Sequence, residues 1–306
     1  MNTKPLFLDI KGNALDDGPG IRSVIFMKGC PLDCLWCHNP ESKKPGPELS
    51  FDPTVCLDCG TCRETCKLGA IDKKNLFFID RDLCSLCYAC VESCPSEALS
   101  KVGQEADISM ICEQVFKDLV FYQTSRGGVT ISGGEPALYM DFLSDLLQAL
   151  KKKGVHTLVE TSGHFDFNRF EKMVLPYTDT VYVDIKFVDP SLHKKYCGIS
   201  NHLILDNIRK LWALSQNKAV ELRVRTPLVP GITATEENIA GLVSFLHSVG
   251  IPELFLLEYN PLWQDKLAKL GMGNPVKGDA VLGTWMDKDL LTRLKQQVRD
   301  AGIKCA

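Results

Sequence analysis

The segment Gly29-Cys30-Pro31-Leu32-Asp33-Cys34-Leu35-Trp36-Cys37-His38-Asn39 holds three cysteines in Cys-x3-Cys-x2-Cys spacing. Three thiolates this close suit three corners of a cubane iron-sulfur cluster, whereas cysteine-liganded structural zinc takes four protein ligands. Two outcomes stay open here. Either one iron is left free for a substrate or cofactor, or a distant cysteine or His38 completes a zinc or cluster site. The remaining cysteines have uses of their own, which favours the free iron.

A second cysteine-rich stretch follows Lys43-Lys44-Pro45-Gly46-Pro47, a linker by composition. Cys56-x2-Cys59-x2-Cys62-x3-Cys66 repeats as Cys84-x2-Cys87-x2-Cys90-x3-Cys94. This is the run of bacterial two-cluster ferredoxins, in which the fourth cysteine of each repeat serves the other cluster. Cys56, Cys59, Cys62 and Cys94 are therefore expected to hold one 4Fe-4S cluster, and Cys66, Cys84, Cys87 and Cys90 the second. Zinc ribbons set their cysteine pairs apart instead of running three at even spacing. Lys67 stands where the second repeat has Pro95, outside the ligand positions. Four ligands to each cluster leave no open iron, so this pair reads as electron carriers.

The 306 residues are 45% hydrophobic and 24% charged, with a net charge of -3. That suits one large domain with a small insertion, divided here as 1–48, 49–101 and 102–306. The weak net field gives no reason to expect nucleic acid or an anionic membrane as partner. The N-terminal residues lack the apolar run of a signal peptide, and no stretch is long enough to span a bilayer, so a cytoplasmic location is expected. Nothing marks an obligate interface, and a monomer is expected. Fourteen cysteines in a reducing compartment argue for metal ligation over disulfides. Cys112, Cys197 and Cys305 fall outside the runs and read as small buried apolar residues. Lys151-Lys152-Lys153 reads as the solvated end of a helix.

Beyond residue 105 short β-rich runs alternate with amphipathic stretches. Strands are expected at 23–27, 128–132, 156–160, 180–185, 221–226 and 254–259, and helices at 141–153, 205–214, 235–249 and 287–301, the third capped by Thr235. Alternation means a parallel sheet with right-handed helical crossovers. Six strands are too few for a closed eight-stranded barrel, so the expectation is an α/β fold with an open, partial (β/α)6 barrel and an inserted ferredoxin-like α+β domain. Ligands in such sheets bind at the C-terminal strand ends. Those ends carry the cysteine loop, Ser132-Gly133-Gly134-Glu135, Glu160-Thr161-Ser162-Gly163, Asp184-Ile185-Lys186, Arg223 with Arg225, and Glu258-Tyr259-Asn260. The two glycines admit a ligand close to backbone, Glu135 offers a carboxylate to an ammonium, and Lys186 or Arg225 faces a carboxylate. Period 2 sets Asp184 and Lys186 on one side. Each motif alone reads as a turn or surface ion pair; together they suit an amino acid moiety.

These residues resemble the radical S-adenosylmethionine (SAM) enzymes in Cys30, Cys34 and Cys37, in Trp36 before the third cysteine, and in Gly133-Gly134-Glu135. Within them the chain is similar to the activating enzymes of glycyl radical enzymes. That narrower match adds Asp17-Gly18-Pro19-Gly20-Ile21-Arg22, Cys37 to Ser42, Asp184-Ile185-Lys186, Arg225 to Gly231 and Tyr259-Asn260-Pro261-Leu262. It covers nearly the whole chain, and the insert looks like that of the longer activases. The resemblance implies an oxidoreductase of anaerobic metabolism with a radical-SAM barrel and three 4Fe-4S clusters, SAM chelating the open iron of the cluster on Cys30, Cys34 and Cys37. It implies Trp36, Cys37 and His38 against adenine, and Gly133, Gly134 and Glu135 at the methionine ammonium. Asp184, Ile185, Lys186 and Arg225 would surround carboxylate and ribose, with Asn260 where short activases have histidine. A monovalent cation would sit at Glu160, Thr161 and Asp184, and Cys197 falls where relatives usually have threonine.

In the implied reaction a donor such as flavodoxin or ferredoxin feeds electrons through the insert to the site cluster, which splits SAM into methionine and a 5′-deoxyadenosyl radical. That radical takes hydrogen from a backbone glycine of a partner, a glycyl radical enzyme. Asp17, Gly18, Pro19 and Gly20 are candidate contacts for the partner's glycine loop, and a plain turn is the other reading. Two further functions compete. A radical-SAM enzyme of the 7-carboxy-7-deazaguanine synthase type, acting on a small molecule, lacks both the insert and the Asp-Gly-Pro-Gly-Ile-Arg segment in this form. An electron carrier with a structural third cluster leaves the polar strand ends unexplained.

Overall fold

The computed structural model describes residues 4–305. In chain order the strands are β1 (Leu6–Ala14), β2 (Arg22–Met27), β3 (Glu48–Phe51), β4 (Leu99–Val102), β5 (Gln104–Glu105), β6 (Gly128–Gly133), β7 (His156–Thr161), β8 (Thr180–Asp184), β9 (Glu221–Pro227), β10 (Glu253–Leu257) and β11 (Lys304–Cys305). The helices are α1 (Thr61–Thr65), α2 (Ala89–Glu92), α3 (Ile108–Val115), α4 (Leu119–Ser125), α5 (Met140–Lys152), α6 (Phe167–Met173), α7 (Pro190–Cys197), α8 (His202–Gln216), α9 (Glu236–Val249), α10 (Trp263–Lys269) and α11 (Lys288–Asp300).

Nine strands form one sheet in the order β11-β10-β9-β8-β7-β6-β2-β1-β5. Neighbours from β2 through β6 to β10 pair in parallel. The sheet has two free ends and does not close. Six parallel strands in an open barrel match the sequence reading; β1, antiparallel to β2, extends it. The parallel strands alternate apolar with polar residues, and the apolar ones lie on the outer face that the helices cover. Val129, Ile131, Val159 and Val181 pack with Leu143, Leu146 and Leu150 of α5, while Val183, Val224 and Leu254 pack with residues of α8, α9 and α11. Thr235 caps α9 by accepting a hydrogen bond from the Asn238 N–H at 3.1 Å. The inner face is polar. There Arg223 and Arg225 stand 5.5 and 5.0 Å from the Tyr182 ring centre.

The antiparallel pair β3–β4 forms a separate sheet on which the cysteine repeats fold. Leu49, Ile71, Ile79, Cys90 and Leu99 make its small core, with Cys62, Cys66, Cys84 and Cys94 packed against it. The insert is tied to the barrel by Arg81, which donates to the carbonyls of Leu49 and Lys269, and by ion pairs Lys269–Asp52 and Lys28–Glu48, both at 2.6 Å.

Two expectations change in part. Lys152 and Lys153 are exposed at the end of α5, but Lys151 is half-buried and pairs with Asp179 at 2.7 Å, because Asp179 lies beside the start of β7 and also accepts from the Thr157 N–H. Cys305 is only half-buried, since it sits in the edge strand β11, whereas Cys112 and Cys197 are buried. Among the described residues no helix is long and apolar enough to cross a membrane.

Candidate active site

The C-terminal ends of all six parallel strands open on one cavity of about 280 Å³. Its wall brings together Cys30, Cys34, Cys37, Trp36 and His38 from the cysteine loop, Gly133 and Gly134 after β6, Glu160 and Thr161 of β7, Asp184 and Lys186 at β8, Arg225 of β9 and Asn260 after β10. The loop is held by backbone bonds on both flanks. Gly29 and Cys30 donate to the carbonyls of Ser42 and Lys43, and Asp33 and Leu35 donate to those of Cys197 and Tyr196. Trp36 is fixed against Phe187 and Tyr196 at ring distances of 6.2 and 6.5 Å.

The three thiols are crowded and buried. Burial, with the nearby Glu135 charge, pushes Cys30 up, and burial pushes Cys37 up to about 12. Cys34 moves the other way, held below the ordinary thiol range by a hydrogen bond from Cys197. Bare thiolates packed together in this wall repel one another, and cationic irons offset that repulsion, so the donor set fits an iron-sulfur cluster. Among the described residues no three His, Cys, Asp or Glu side chains gather as one metal ion requires. Cysteines around four irons stand farther apart than those around one zinc.

Behind the cysteines lies a charge network. Arg225 spans Glu160 at 2.5 Å and Asp184 at 3.0 Å, Lys186 reaches Asp184 at 3.5 Å, and the Ser132 hydroxyl donates to Glu160 at 2.6 Å. Burial alone would raise Asp184, but the Arg225 and Lys186 cations more than offset it and hold the carboxyl below its usual range. Lys186 and Arg225 are each raised, burial being outweighed by Asp184 and, for Arg225, by Glu160. Two fixed cations thus face the cavity, a suitable partner for a carboxylate. The Arg225 guanidinium stands between the two carboxylates to which the resemblance assigns a monovalent cation, and Thr161 donates to Glu135 instead.

Glu135 is the main correction. Its side chain does not line the cavity and is fully buried. The carboxylate accepts from Thr161 Oγ1 at 2.8 Å, Ser162 N at 2.8 Å, Ser162 Oγ at 2.5 Å and Ala137 N at 3.1 Å, which leaves no lone pair turned to an ammonium. Its backbone N–H donates to the Gly29 carbonyl at 2.8 Å, so Glu135 locks the glycine pair to the cysteine loop. The glycines answer to the chain's own backbone. A Cβ on Gly133 would stand 2.4 Å from Met27 N, and one on Gly134 2.2 Å from the Gly29 carbonyl oxygen. Ile185 likewise leaves the site: its side chain joins the outer apolar layer, and its backbone bonds to Arg225 and Thr226.

The 17–20 loop folds inward without lining the cavity. Asp17 lies within electrostatic reach of Glu160 and Arg225, and burial raises its carboxyl. A Cβ on Gly18 would meet Leu158 at 2.8 Å, and one on Gly20 the Gly127 N at 2.5 Å, so both glycines serve internal packing. Arg22 is buried with no carboxylate partner among the described residues, is lowered to about 10 by burial, and donates to Thr130, Val129 and Pro19. Three further residues support the site. Ser162 holds Glu135. Asn207 of α8 donates to the carbonyls of Gly163 and Phe165 at 2.9 and 2.8 Å. Lys266 of α10 donates to the His38 carbonyl at 2.9 Å and pairs with Glu41 at 2.8 Å. No local sequence signal marks the last two.

The radical SAM superfamily profile matches residues 84–243, more than half of the chain, and a 4Fe-4S single cluster domain profile matches residues 16–65, which include the cysteine loop. The chain is 36% identical to the (2S)-3-sulfopropanediol dehydratase activating enzyme of Klebsiella oxytoca, covering 100% of this chain and 98% of the relative. It is 37% identical to the isethionate sulfite-lyase activating enzyme of Oleidesulfovibrio alaskensis, over 97% and 95% of the two chains. The crystal structure of a radical SAM methyltransferase from Sphaerobacter thermophilus shares the fold with a TM-score of 0.53 at 12% identity, over 99% of this chain and 76% of that one. Barrel, cysteine loop and relatives define a radical SAM enzyme that binds an iron-sulfur cluster and SAM. The chain belongs to the activating enzymes of glycyl radical enzymes.

Proposed function

We propose that this activase carries three 4Fe-4S clusters and uses the one on Cys30, Cys34 and Cys37 to present SAM to a backbone glycine of its partner. The reading is carried by one observation: the cavity joins those three cysteines to cations and carboxylates from the strand ends, and among the described residues no fourth cysteine lines it. Bound SAM supplies, on one-electron reduction, the 5′-deoxyadenosyl radical that takes the glycine hydrogen. Lys186 and Arg225 hold carboxylate and ribose, the Gly133-Gly134 backbone receives the ammonium, and Trp36, His38 and Asn260 flank adenine. Leu32, Leu228 and Val229 in the cavity wall exclude water and stray hydrogen donors. The half-buried turn Asp17 to Gly20, part of whose surface stays accessible, meets the partner's glycine loop. The insert receives electrons from a flavodoxin or ferredoxin, and the chain works as a monomer in a reducing cytoplasm. The relatives' names, which give a decarboxylase, a dehydratase and a sulfite-lyase, mark the range from which we take the partner.

Anaerobically reconstituted protein with dithionite should release 5′-deoxyadenosine and, with its partner, give a glycyl radical signal in electron paramagnetic resonance. An electron carrier would release no 5′-deoxyadenosine. A small-molecule enzyme would release it yet leave every glycyl radical enzyme unmodified. The reading falls if adding SAM leaves the spectrum of the reduced site cluster unchanged.

A further inference from the structure

Thr130 of β6 is fully buried, and its neighbours Val129 and Ile131 belong to the outer apolar layer, so strand alternation turns Thr130 to the inside of the barrel. Its hydroxyl makes two bonds at once. It accepts from Arg22 Nε at 2.6 Å and donates to the Asp17 carbonyl at 2.7 Å. Arg22 serves the same turn from beneath: its guanidinium donates to the Pro19 carbonyl at 3.2 Å and to the Val129 carbonyl of β6 at 2.7 Å. Its stem lies so close under the turn that a Cβ on Gly18 would stand 2.8 Å from the Arg22 Cδ. The far end is held by the Ile21 N–H, which donates to Ser125 Oγ at 2.8 Å. A guanidinium is costly to bury, and an apolar side chain would fill this space for less. What the charge does here is clamp the turn to β6. That strand ends in Gly133, which lines the cavity, whereas neither Thr130 nor Arg22 does.

We propose that Thr130, with Arg22 beneath it, is a positioning residue for hydrogen abstraction: it mounts the turn Asp17–Gly20 on the strand that ends at the SAM-binding glycines, and so fixes where the partner's glycine stands relative to SAM. The inference rests on the reading that this turn meets the partner. A strand rises about 3.3 Å per residue and does not stretch, so turn and glycine pair keep one separation. Reacting atoms must come within about 3 to 3.5 Å, and a displacement of about 1 Å costs about a hundredfold in rate. The hydroxyl therefore acts on the partner's glycine through the turn, with no contact to SAM.

The test uses full-length, anaerobically reconstituted Thr130→Val, which removes the hydroxyl at nearly constant shape, and Thr130→Ser, which restores it. The probe partner is whichever enzyme the wild-type protein activates among the three that its relatives' names supply, indoleacetate decarboxylase, (2S)-3-sulfopropanediol dehydratase and isethionate sulfite-lyase. Without partner, Thr130→Val should keep the wild-type iron content and the wild-type kcat and KM for SAM in dithionite-driven release of 5′-deoxyadenosine, while hydrogen exchange at residues 15–21 quickens. With partner, its KM for that enzyme should rise about tenfold, the worth of two lost hydrogen bonds, and the glycyl radical formed per 5′-deoxyadenosine should fall. Thr130→Ser should restore both. An unchanged partner KM and radical yield in Thr130→Val overturn the proposal, and so does a matching loss of partner-free cleavage, which would make the hydroxyl a support of the whole site. Should the valine variant not fold, Thr130→Ala decides by the same readouts. The underlying reading is tested apart, in the wild-type protein: adding the partner should slow exchange at residues 15–21, and no slowing there would sink the partner contact itself, whereas the exchange of the free variant still reports on the mount.

Discussion

The cysteine loop and the ferredoxin-like insert gather their thiols by opposite means. In the insert the sets are made locally: Cys56, Cys59, Cys62 and Cys94 line one small cavity, and the charges nearest Cys90 are those of Cys84, Cys66 and Cys87. Cys59 and Cys87 are exposed, and only five residues form the buried core. At the loop three cysteines supply one wall, and the rest of the cavity comes from strands spread over the chain. A closed cluster needs little beyond its own ligands, whereas an open iron needs a fold around it to choose what binds there.

The sharpest break between the regions is loss of one ligand from each. Cys34→Ala and Cys94→Ala should each lower the iron content by about four atoms per chain. Only Cys34→Ala should abolish SAM cleavage with dithionite, measured as 5′-deoxyadenosine; retained cleavage there would remove the assigned site. Abolished cleavage in Cys94→Ala would show that the insert does more than deliver electrons. Stripping all iron with a chelator is the next test. Hydrogen exchange should then show the insert unfolded and the barrel strands still protected, because so small a core depends on its metals while the barrel has its own.

Arg225 carries the next largest effect. Its side chain and that of Glu160 are only 12% and 11% exposed, and its removal would strand two buried carboxylates. Breaking such a pair costs about 3 kcal/mol, so Arg225→Ala should unfold at clearly lower denaturant, with a raised KM for SAM. The sign with pH follows from Asp184. Its folded value is depressed, so its contribution is present above the unfolded value near 4 and disappears as pH falls through the folded value. Without the Arg225 cation burial moves the Asp184 carboxyl back up, so the share of acid destabilisation that comes from Asp184 should shrink. An unchanged acid transition would mean that Lys186 alone holds Asp184.

The same contrast explains what could be read in advance. The cysteine sets were legible because spacing encodes them, and the six parallel strands because runs such as Gly128–Gly133 and Thr180–Asp184 are buried on both faces. Strand β1 was not, since Leu6–Ala14 mixes exposed charged residues with apolar ones and pairs antiparallel at the sheet's side. Glu135 misled for a physical reason: a carboxylate after two glycines suggests a ligand contact, and the Thr161 and Ser162 donors that consume it come from the neighbouring strand end. Lys266 lies 228 residues from the carbonyl it holds. A single lysine on an amphipathic helix reads as solvated surface.

Asn207 sharpens the comparison at its finest grain, because the insert has no counterpart to it. The residue is fully buried on α8 and ties down the turn after β7, whose Thr161 and Ser162 in turn hold Glu135 and, through its backbone, the glycine pair and Gly29. Asn207→Ala leaves two carbonyls unpaired, a loss of about 1 to 3 kcal/mol. Iron content should be unchanged, since no cysteine moves with this turn. The KM for SAM in dithionite-driven cleavage should rise while kcat holds, because the turn shapes ground-state binding at the glycine backbone and leaves electron delivery alone. A fall in kcat at constant KM would place the influence of α8 on the reacting geometry, and an unchanged KM would mean that the four donors to Glu135 hold the glycines without help from α8.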